Sequence, residues 1–221
     1  MTQKFTILFD LDGTLIDTAP DLIRAHNHVM KKFGYPRKTL GELKNAVGKG
    51  AKAMMAKANG QWKWFDEKIQ NEMPDEFLSF YGKNIYHESK LINGVKDFLS
   101  WCKKENISMA VCTNKTEHLA VDLLKKIGIY DYFEYVAGYN TFEYCKPDPR
   151  HLTTIIEILE GEINKSIMIG DSETDANAAK AAEIPIILLK YGYTEKNSKD
   201  IYHNHLVKDF VGIEKIIAQY L

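Results

Sequence analysis

The sequence predicts an α/β fold: a Rossmann-like parallel sheet core domain with a small all-helical segment inserted after the first strand. Three observations predict it. Short apolar runs without polar alternation recur along the chain, as strands buried on both faces require. Each run is followed by a segment of helical spacing, the alternation that builds a parallel sheet covered by helices. Between residues 18 and 89 that rhythm stops, and the pattern is helical throughout.

Taken in order, the buried strands are expected at 4–9, 107–112, 166–169 and 184–189, with helices at 95–105, 116–127, 149–159 and 174–182. Thr116 and Asp148 are placed as N-caps, Pro149 at a first helical position and Gly128 as a C-terminal stop. A last helix over 210–220 puts Phe210, Ile213, Ile216, Ile217 and Tyr220 on one face. Within the insert, Thr18-x-x-Asp21 and Thr39-x-x-Glu42 have the form of capping boxes, Gly34 and Gly60 read as terminators, and Pro74 should begin or kink a helix. The predicted division is therefore residues 1–17 and 90–221 for the core domain and 18–89 for the helical domain.

Composition excludes several classes of function. The chain of 221 residues is 45% apolar and 27% charged with a formal net charge of −1, so no overall positive field gathers nucleic acid or anionic lipid. Cys102, Cys112 and Cys145 form neither a CxxC pair nor an even disulfide set and read as reduced thiols. The apolar stretch at 5–9 is broken at once by Asp10 and Asp12, unlike a signal peptide, and the run at 184–189 is too short to span a bilayer. The expectation is a cytoplasmic protein, monomer or homodimer, without nucleic-acid or membrane partners.

Parallel α/β sheets bind ligands beyond the carboxyl ends of their strands. Asp10 and Asp12, with Gly13 and Thr14, follow the first strand; Thr113 and Asn114 follow the second; Lys146-Pro147 precedes a helix; and Gly170, Asp171, Ser172 and Asp175 follow a later strand. Singly, these are ordinary: strand-end turn aspartates, helix-entry residues, a solvated lysine, a capped turn. Jointly and in this order they suit phosphoryl transfer. A hard divalent cation takes a few carboxylate oxygens and leaves room for a phosphate oxygen. A lysine with hydroxyl and amide donors holds the remaining oxygens. One carboxylate attacks phosphorus, and a second, two residues away, protonates the leaving oxygen and then activates water.

These residues resemble the motifs of the haloacid dehalogenase-like (HAD) superfamily. Asp10-Leu-Asp-Gly-Thr-Leu-Ile-Asp-Thr18 is similar to its first motif and Thr113-Asn114 to its second. Lys146-Pro147-Asp148-Pro149 resembles the third, and Gly170-Asp171-Ser172-Glu173-Thr174-Asp175 the fourth. The resemblance covers the whole chain, the helical insert matching the small cap domain of one subgroup. It implies Mg²⁺ as cofactor and a small phosphorylated metabolite as substrate. It implies Asp10 as nucleophile and metal ligand, Asp12 as general acid/base lending its carbonyl to the metal, and Asp171 as the completing ligand. Thr113 and Asn114 would contact the phosphoryl group, Lys146 would neutralise nucleophile and phosphate, and Asp175 would support Lys146 or the metal's waters. Asp12 separates phosphatases from dehalogenases, because an alkoxide leaving group needs a proton and a halide does not.

Within the superfamily the chain most resembles the phosphoglycolate phosphatases, through Asn45-Ala-Val-Gly-Lys-Gly50 and Leu188-Leu-Lys-Tyr-Gly-Tyr-Thr194. Gly48 and Lys49 either bring amides and an ammonium group to a small anionic leaving group or merely punctuate two cap helices. Tyr191 and Tyr193 read as packing residues, and the cluster Trp62-Lys-Trp64-Phe65 as cap core or as the cap surface facing the core. The alternatives are a phosphomutase of the β-phosphoglucomutase type, a pyrophosphatase or nucleotidase of the same architecture, and a non-enzymatic phospholigand-binding scaffold. The histidines, including His26, His28, His203 and His205, are too scattered for a zinc site.

Overall fold

The computed structural model describes residues 4–43, 46–47, 54–55, 67–194 and 196–221, with the side chains of 67–71 outside that description. Six parallel strands form the sheet: β1 (Thr6–Phe9), β4 (Ser108–Cys112), β5 (Tyr135–Ala137), β6 (Ser166–Gly170), β7 (Ile186–Leu189) and β8 (His205–Val207). Their spatial order is β5-β4-β1-β6-β7-β8. After β1 the chain builds outward on one side through β4 and β5, then returns to the other side of β1 with β6. The order thus reverses around β1, and the crevice at the carboxyl ends of β4, β1 and β6 is the natural ligand position of such a sheet.

The strand sequences explain their burial. In β1, Ile7 and Phe9 point into one apolar cluster and Leu8 into the other, as the two-residue period of a strand requires. Phe9 meets Phe98, Phe133 and Phe210 at ring-centroid distances of 6.2, 5.8 and 6.4 Å. Its face is covered by α4 (Val95–Lys104), α5 (Glu117–Ile127) and the C-terminal segment around α8 (Glu214–Ile217). On the other face Leu152, Ile155, Ala176 and Ala179 of α6 (Arg150–Ile158) and α7 (Glu173–Ala181) pack against Leu8, Cys112 and Met168. Burial pushes the thiols of Cys102 and Cys112 up to about 12, so neither is a reactive thiolate near neutrality.

The helical segment comprises α1 (Ala19–Lys32), α2 (Leu40–Leu43) and α3 (Glu67–Lys83). The chain leaves for it along β2 (Ile16–Asp17) and returns along β3 (Lys90–Leu91), and the two pair antiparallel with Ile16 opposite Leu91. Asp21 fastens this crossing. Its buried carboxylate accepts bonds from the backbone N–H groups of His87, Glu88 and Ser89 and from the Ser89 hydroxyl, at 2.7–3.2 Å, and pairs with Arg24 at 3.0 Å. Burial would raise its pKa, but these donors outweigh that and hold it below the usual carboxylate value. Asp21→Asn should therefore cost about 2–4 kcal/mol. A depressed acid stabilises above its unfolded pKa, so the melting-temperature gap to wild type should be full at neutral pH and shrink as pH falls through the folded value, as calorimetry will show.

Several local expectations are corrected. Asp21 is not the far end of a capping box with Thr18, whose side chain makes no capping bond; the 87–89 amides outcompete it. Thr39 and Glu42 make half of theirs, with both the backbone N–H and the hydroxyl of Thr39 donating to Glu42. Thr116 occupies an N-cap position without a side-chain bond, and Asn140 accepts from the N–H of Glu117 instead. The N-cap of α6 is Pro149, with Asp148 one residue ahead accepting from the N–H of Arg150. Pro74 lies inside α3, where it forgoes one helical hydrogen bond. The helix expected over 210–220 shortens to α8, because Gly212 takes a left-handed φ of +85° and interrupts its start. His205 begins β8 and its ring bonds the Tyr220 hydroxyl. The two edge strands β5 and β8 escaped the sequence pattern, being three residues each and only partly buried.

Candidate active site

At the carboxyl end of β1 the backbone turns sharply. Asp10 still belongs to the ladder, its N–H donating to the carbonyl of Ile169 at 2.9 Å, while the carbonyl of Leu11 collects bonds from Thr14, Leu15 and Ile16. Gly13 lies at φ +91°, and a Cβ there would sit 2.5 Å from Asp171 Oδ2 and 2.8 Å from the Tyr193 ring. Glycine is thus required twice over, by conformation and by the approach of the fourth motif to the first. Gly192 is required by close approach alone, since its Cβ would sit 2.3 Å from the Asp171 carbonyl oxygen and 2.4 Å from its side chain.

Asp10, Asp171 and Asp175 converge, each offering a carboxylate oxygen within 4.8 Å of the others. Lys146, 3% exposed, reaches between two of them, donating to Asp10 Oδ1 at 2.8 Å and Asp175 Oδ1 at 2.6 Å. Asp175 is fully engaged. Its Oδ2 accepts from the N–H groups of Asp171 and Ser172 and from the Ser172 hydroxyl, completing the capping box that starts α7. Asp171 accepts from the Thr14 hydroxyl at 2.9 Å and from the Tyr193 N–H at 2.7 Å. Among the described residues, Lys146 is the only donor bonded to the carboxylate of Asp10.

The charges do not balance. Burial first, then repulsion from Asp175 and Asp12 against the pull of Lys146, pushes Asp10 up to about 6. Burial and the charges of Asp10 and Asp175 raise Asp171 well above the carboxylate range. Burial alone would lower Lys146, but Asp10 and Asp175 outweigh it and keep the ammonium charged. Among the described residues, Asp10, Asp12, Asp171 and Asp175 face only Lys146 and Lys115 as cations, so carboxylates outnumber ammonium groups there. Hard oxygen donors with an excess of negative charge fit a divalent cation such as Mg²⁺.

The cleft, about 540 Å³ counting its open mouth, is lined by these carboxylates, Lys146, Thr113 and Asn114. All core positions singled out in the sequence are therefore brought together. Lys146 precedes α6 as expected and follows the edge strand β5 by several residues, not being itself at a strand end. Asn114 donates to the carbonyl of Lys146 at 2.8 Å, so its amide group secures that loop. Gly48 and Lys49, like Gly60 and the Trp62–Phe65 cluster, lie outside the described residues. Their neighbour Val47 is buried and lines the cleft from the helical side.

Four contributors were missed in the sequence. Tyr193 is more than packing: besides its bond to Asp171, its hydroxyl donates to Asp17 and accepts from the N–H of Ala19, lashing the site to the start of α1. His151 accepts the N–H of Lys146 on Nδ1 at 3.2 Å, and burial with the nearby Lys146 charge pulls its pKa down to about 4, keeping it a neutral acceptor. Lys115 donates to both oxygens of Asp12, at 2.9 and 3.0 Å, and to the hydroxyl of Tyr81 in α3 at 3.0 Å. Its place directly after Thr113-Asn114 was a signal available in the sequence; Tyr81 offered none.

Comparison with known proteins bears on what this arrangement does. Residues 7–189 match the family model described as haloacid dehalogenase-like hydrolase. The phosphoglycolate phosphatase of Mesorhizobium japonicum is 34% identical, the alignment covering 97% of this chain and 95% of that protein. That of Agrobacterium fabrum is 35% identical over 96% and 94%. The crystal structure of a predicted phosphoglycolate phosphatase from Haemophilus somnus 129PT superposes with a TM-score of 0.91 at 28% identity, covering 98% of this chain and 99% of that one.

Proposed function

The chain belongs to the haloacid dehalogenase-like hydrolases and is a phosphoric monoester hydrolase of that family, and from that premise we propose that it is a Mg²⁺-dependent phosphatase acting on 2-phosphoglycolate through an aspartyl-phosphate. The observation that carries the chemistry is the convergence of Asp10, Asp171 and Lys146 beside Asp12 in one cleft. The substrate rests on the relatives, and the residue beside Val47, Gly48, together with Lys49, is proposed to meet the small carboxylate-bearing leaving group.

In the first step an oxygen of Asp10 attacks phosphorus, the bond to the leaving oxygen breaks, and Asp12 supplies the proton that oxygen needs. In the second, Asp12 takes a proton from water as the water oxygen bonds phosphorus and the bond to Asp10 breaks, releasing phosphate. Asp10, Asp171 and the Asp12 carbonyl would hold Mg²⁺, which would supply charge neutralisation at the phosphoryl oxygens. Lys146 balances the charge of Asp10, Asp175 orients Lys146, and Thr113 with the Asn114 backbone region borders the phosphoryl group. We further propose that residues 18–89 form a cap on the core of 1–17 and 90–221, closing over the cleft to exclude water. The setting is proposed to be cytoplasmic; among the described residues no helix is long and apolar enough to cross a membrane.

The test compares kcat/KM for 2-phosphoglycolate, sugar phosphates, nucleotides and pyrophosphate with Mg²⁺ present, since discrimination is expressed in that ratio. Phosphoglycolate should rank first, and stripping the metal with EDTA should abolish phosphate release until Mg²⁺ is restored. A higher kcat/KM for another class would overturn the substrate; turnover that survives EDTA would overturn the metal.

A further inference from the structure

Asp12 is held by a device that spans the core and the helical segment. Lys115 leaves the end of β4 and places its ammonium group against both carboxylate oxygens of Asp12, at 2.9 and 3.0 Å. The side chains are 6% and 7% exposed, so the pair is shielded from competing water. The third donor direction goes to the Tyr81 hydroxyl at 3.0 Å, and the ammonium lies 4.5 Å from the centre of the Tyr81 ring. Tyr81 is 1% exposed near the end of α3, in the helical segment rather than the sheet.

A free aspartate on a turn samples several rotamers, and a reacting carboxylate a fraction of an ångström out of place loses much of its effect. Bonding both oxygens fixes Asp12 about its side-chain torsions. Bonding Tyr81 as well fixes Lys115, and only a helical segment seated as observed supplies that hydroxyl. In the proposed reaction Lys115 touches neither the phosphoryl group nor the water; it acts through the oxygens of Asp12.

We infer that Lys115 is a positioning residue that orients Asp12 to take a proton from water in the second step, with Tyr81 making that orientation depend on the seating of the helical segment. The inference rests on the roles proposed above for Asp10 and Asp12. In that second step the water proton moves to Asp12, the water oxygen bonds phosphorus, and the phosphorus bond to Asp10 breaks.

An aryl phosphate isolates that step, because nitrophenolate leaves without a proton. Rapid-mixing of 4-nitrophenyl phosphate with the Mg²⁺-loaded full chain measures the burst and the steady rate separately. Lys115→Met should leave the burst rate within a few-fold of wild type and lower the steady rate by about 10- to 100-fold, the size of effect seen when an orienting partner is removed. Lys115→Arg should recover part of the loss, and Tyr81→Phe should lower the steady rate by a smaller factor with the same preserved burst. Asp12→Asn is the control. If it shows the burst and slow steady rate while Lys115→Met and Tyr81→Phe turn over like wild type, the inference fails and the reading of Asp12 stands. If Asp12→Asn itself turns over normally, the role of Asp12 fails first. Should Lys115→Met not fold, as thermal melting will reveal, Tyr81→Phe and Lys115→Arg decide: unchanged burst-to-steady ratios in both overturn the inference.

Discussion

Asp10→Asn should abolish turnover, lowering kcat by at least about 10⁴-fold, as loss of a covalent nucleophile does. The substitution keeps the shape of the side chain and removes the carboxylate proposed to attack phosphorus. Thermal melting separates this from misfolding, with a sign set by the electrostatics. In the metal-free protein Asp10 is pushed up to about 6 from 3.8, mainly by burial and then by its carboxylate neighbours. A carboxyl raised in the folded state stabilises fully below its unfolded pKa, and that contribution is lost as pH rises through about 6. In EDTA, Asp10→Asn should therefore melt no lower than wild type at pH 8, and any gain should shrink on moving to pH 5. With Mg²⁺ the order should reverse, because only wild type keeps the full set of oxygen donors. Near-normal turnover would remove Asp10 from the chemistry altogether.

Lys146→Met should damage activity and stability together, and stability more than Asp10→Asn or Asp21→Asn. The ammonium group is the cation that Asp10 and Asp175 share, at 2.8 and 2.6 Å, in a place closed to solvent. Removing one partner of a buried ion pair leaves uncompensated charge, typically costing about 3–5 kcal/mol, or roughly 10 °C in a chain of this size. Asp175 is also the box residue that starts α7, so its displacement loosens the turn carrying Asp171. Loss of the positive group beside the phosphoryl position should lower kcat by at least about 10³-fold. The pKa of Lys146 is raised by its partners despite burial, so its contribution is present below the unfolded lysine value and persists until alkaline pH. The stability deficit should hence be flat between pH 6 and 9, unlike that of Asp21→Asn, which fades on acidification. Calorimetry across that range checks both; a Lys146→Met protein with wild-type stability and activity would mean that the cleft is organised otherwise.

What could be read early and what could not divide along a physical line. The buried strands β1, β4, β6 and β7 and the helices between them are local hydrophobic patterns, each written over a few consecutive residues. The carboxylates at strand ends are equally local, because the end of a strand is where a run of apolar residues stops. Edge strands β5 and β8 carry no such pattern, since an edge is only half covered. The capping box expected at Thr18 fails for a related reason: a carboxylate bonds the best donors in reach, and for Asp21 those are amides 66 to 68 residues away.

By itself, then, the sequence determined the parallel sheet and the helical insert and singled out Asp10, Asp12, Thr113, Asn114, Lys146, Asp171 and Asp175, because strand periodicity and the polar residues that end an apolar run or precede a helix are properties of contiguous residues. Only the tertiary structure decided that Lys146 bridges Asp10 and Asp175, that Tyr193 ties Asp171 to the root of α1, that His151 steadies the Lys146 loop, and that Lys115 joins Asp12 to Tyr81. Those links connect groups up to 176 positions apart. Which donor meets which acceptor across such separations depends on the packing of sheet against helices, and no local pattern encodes that.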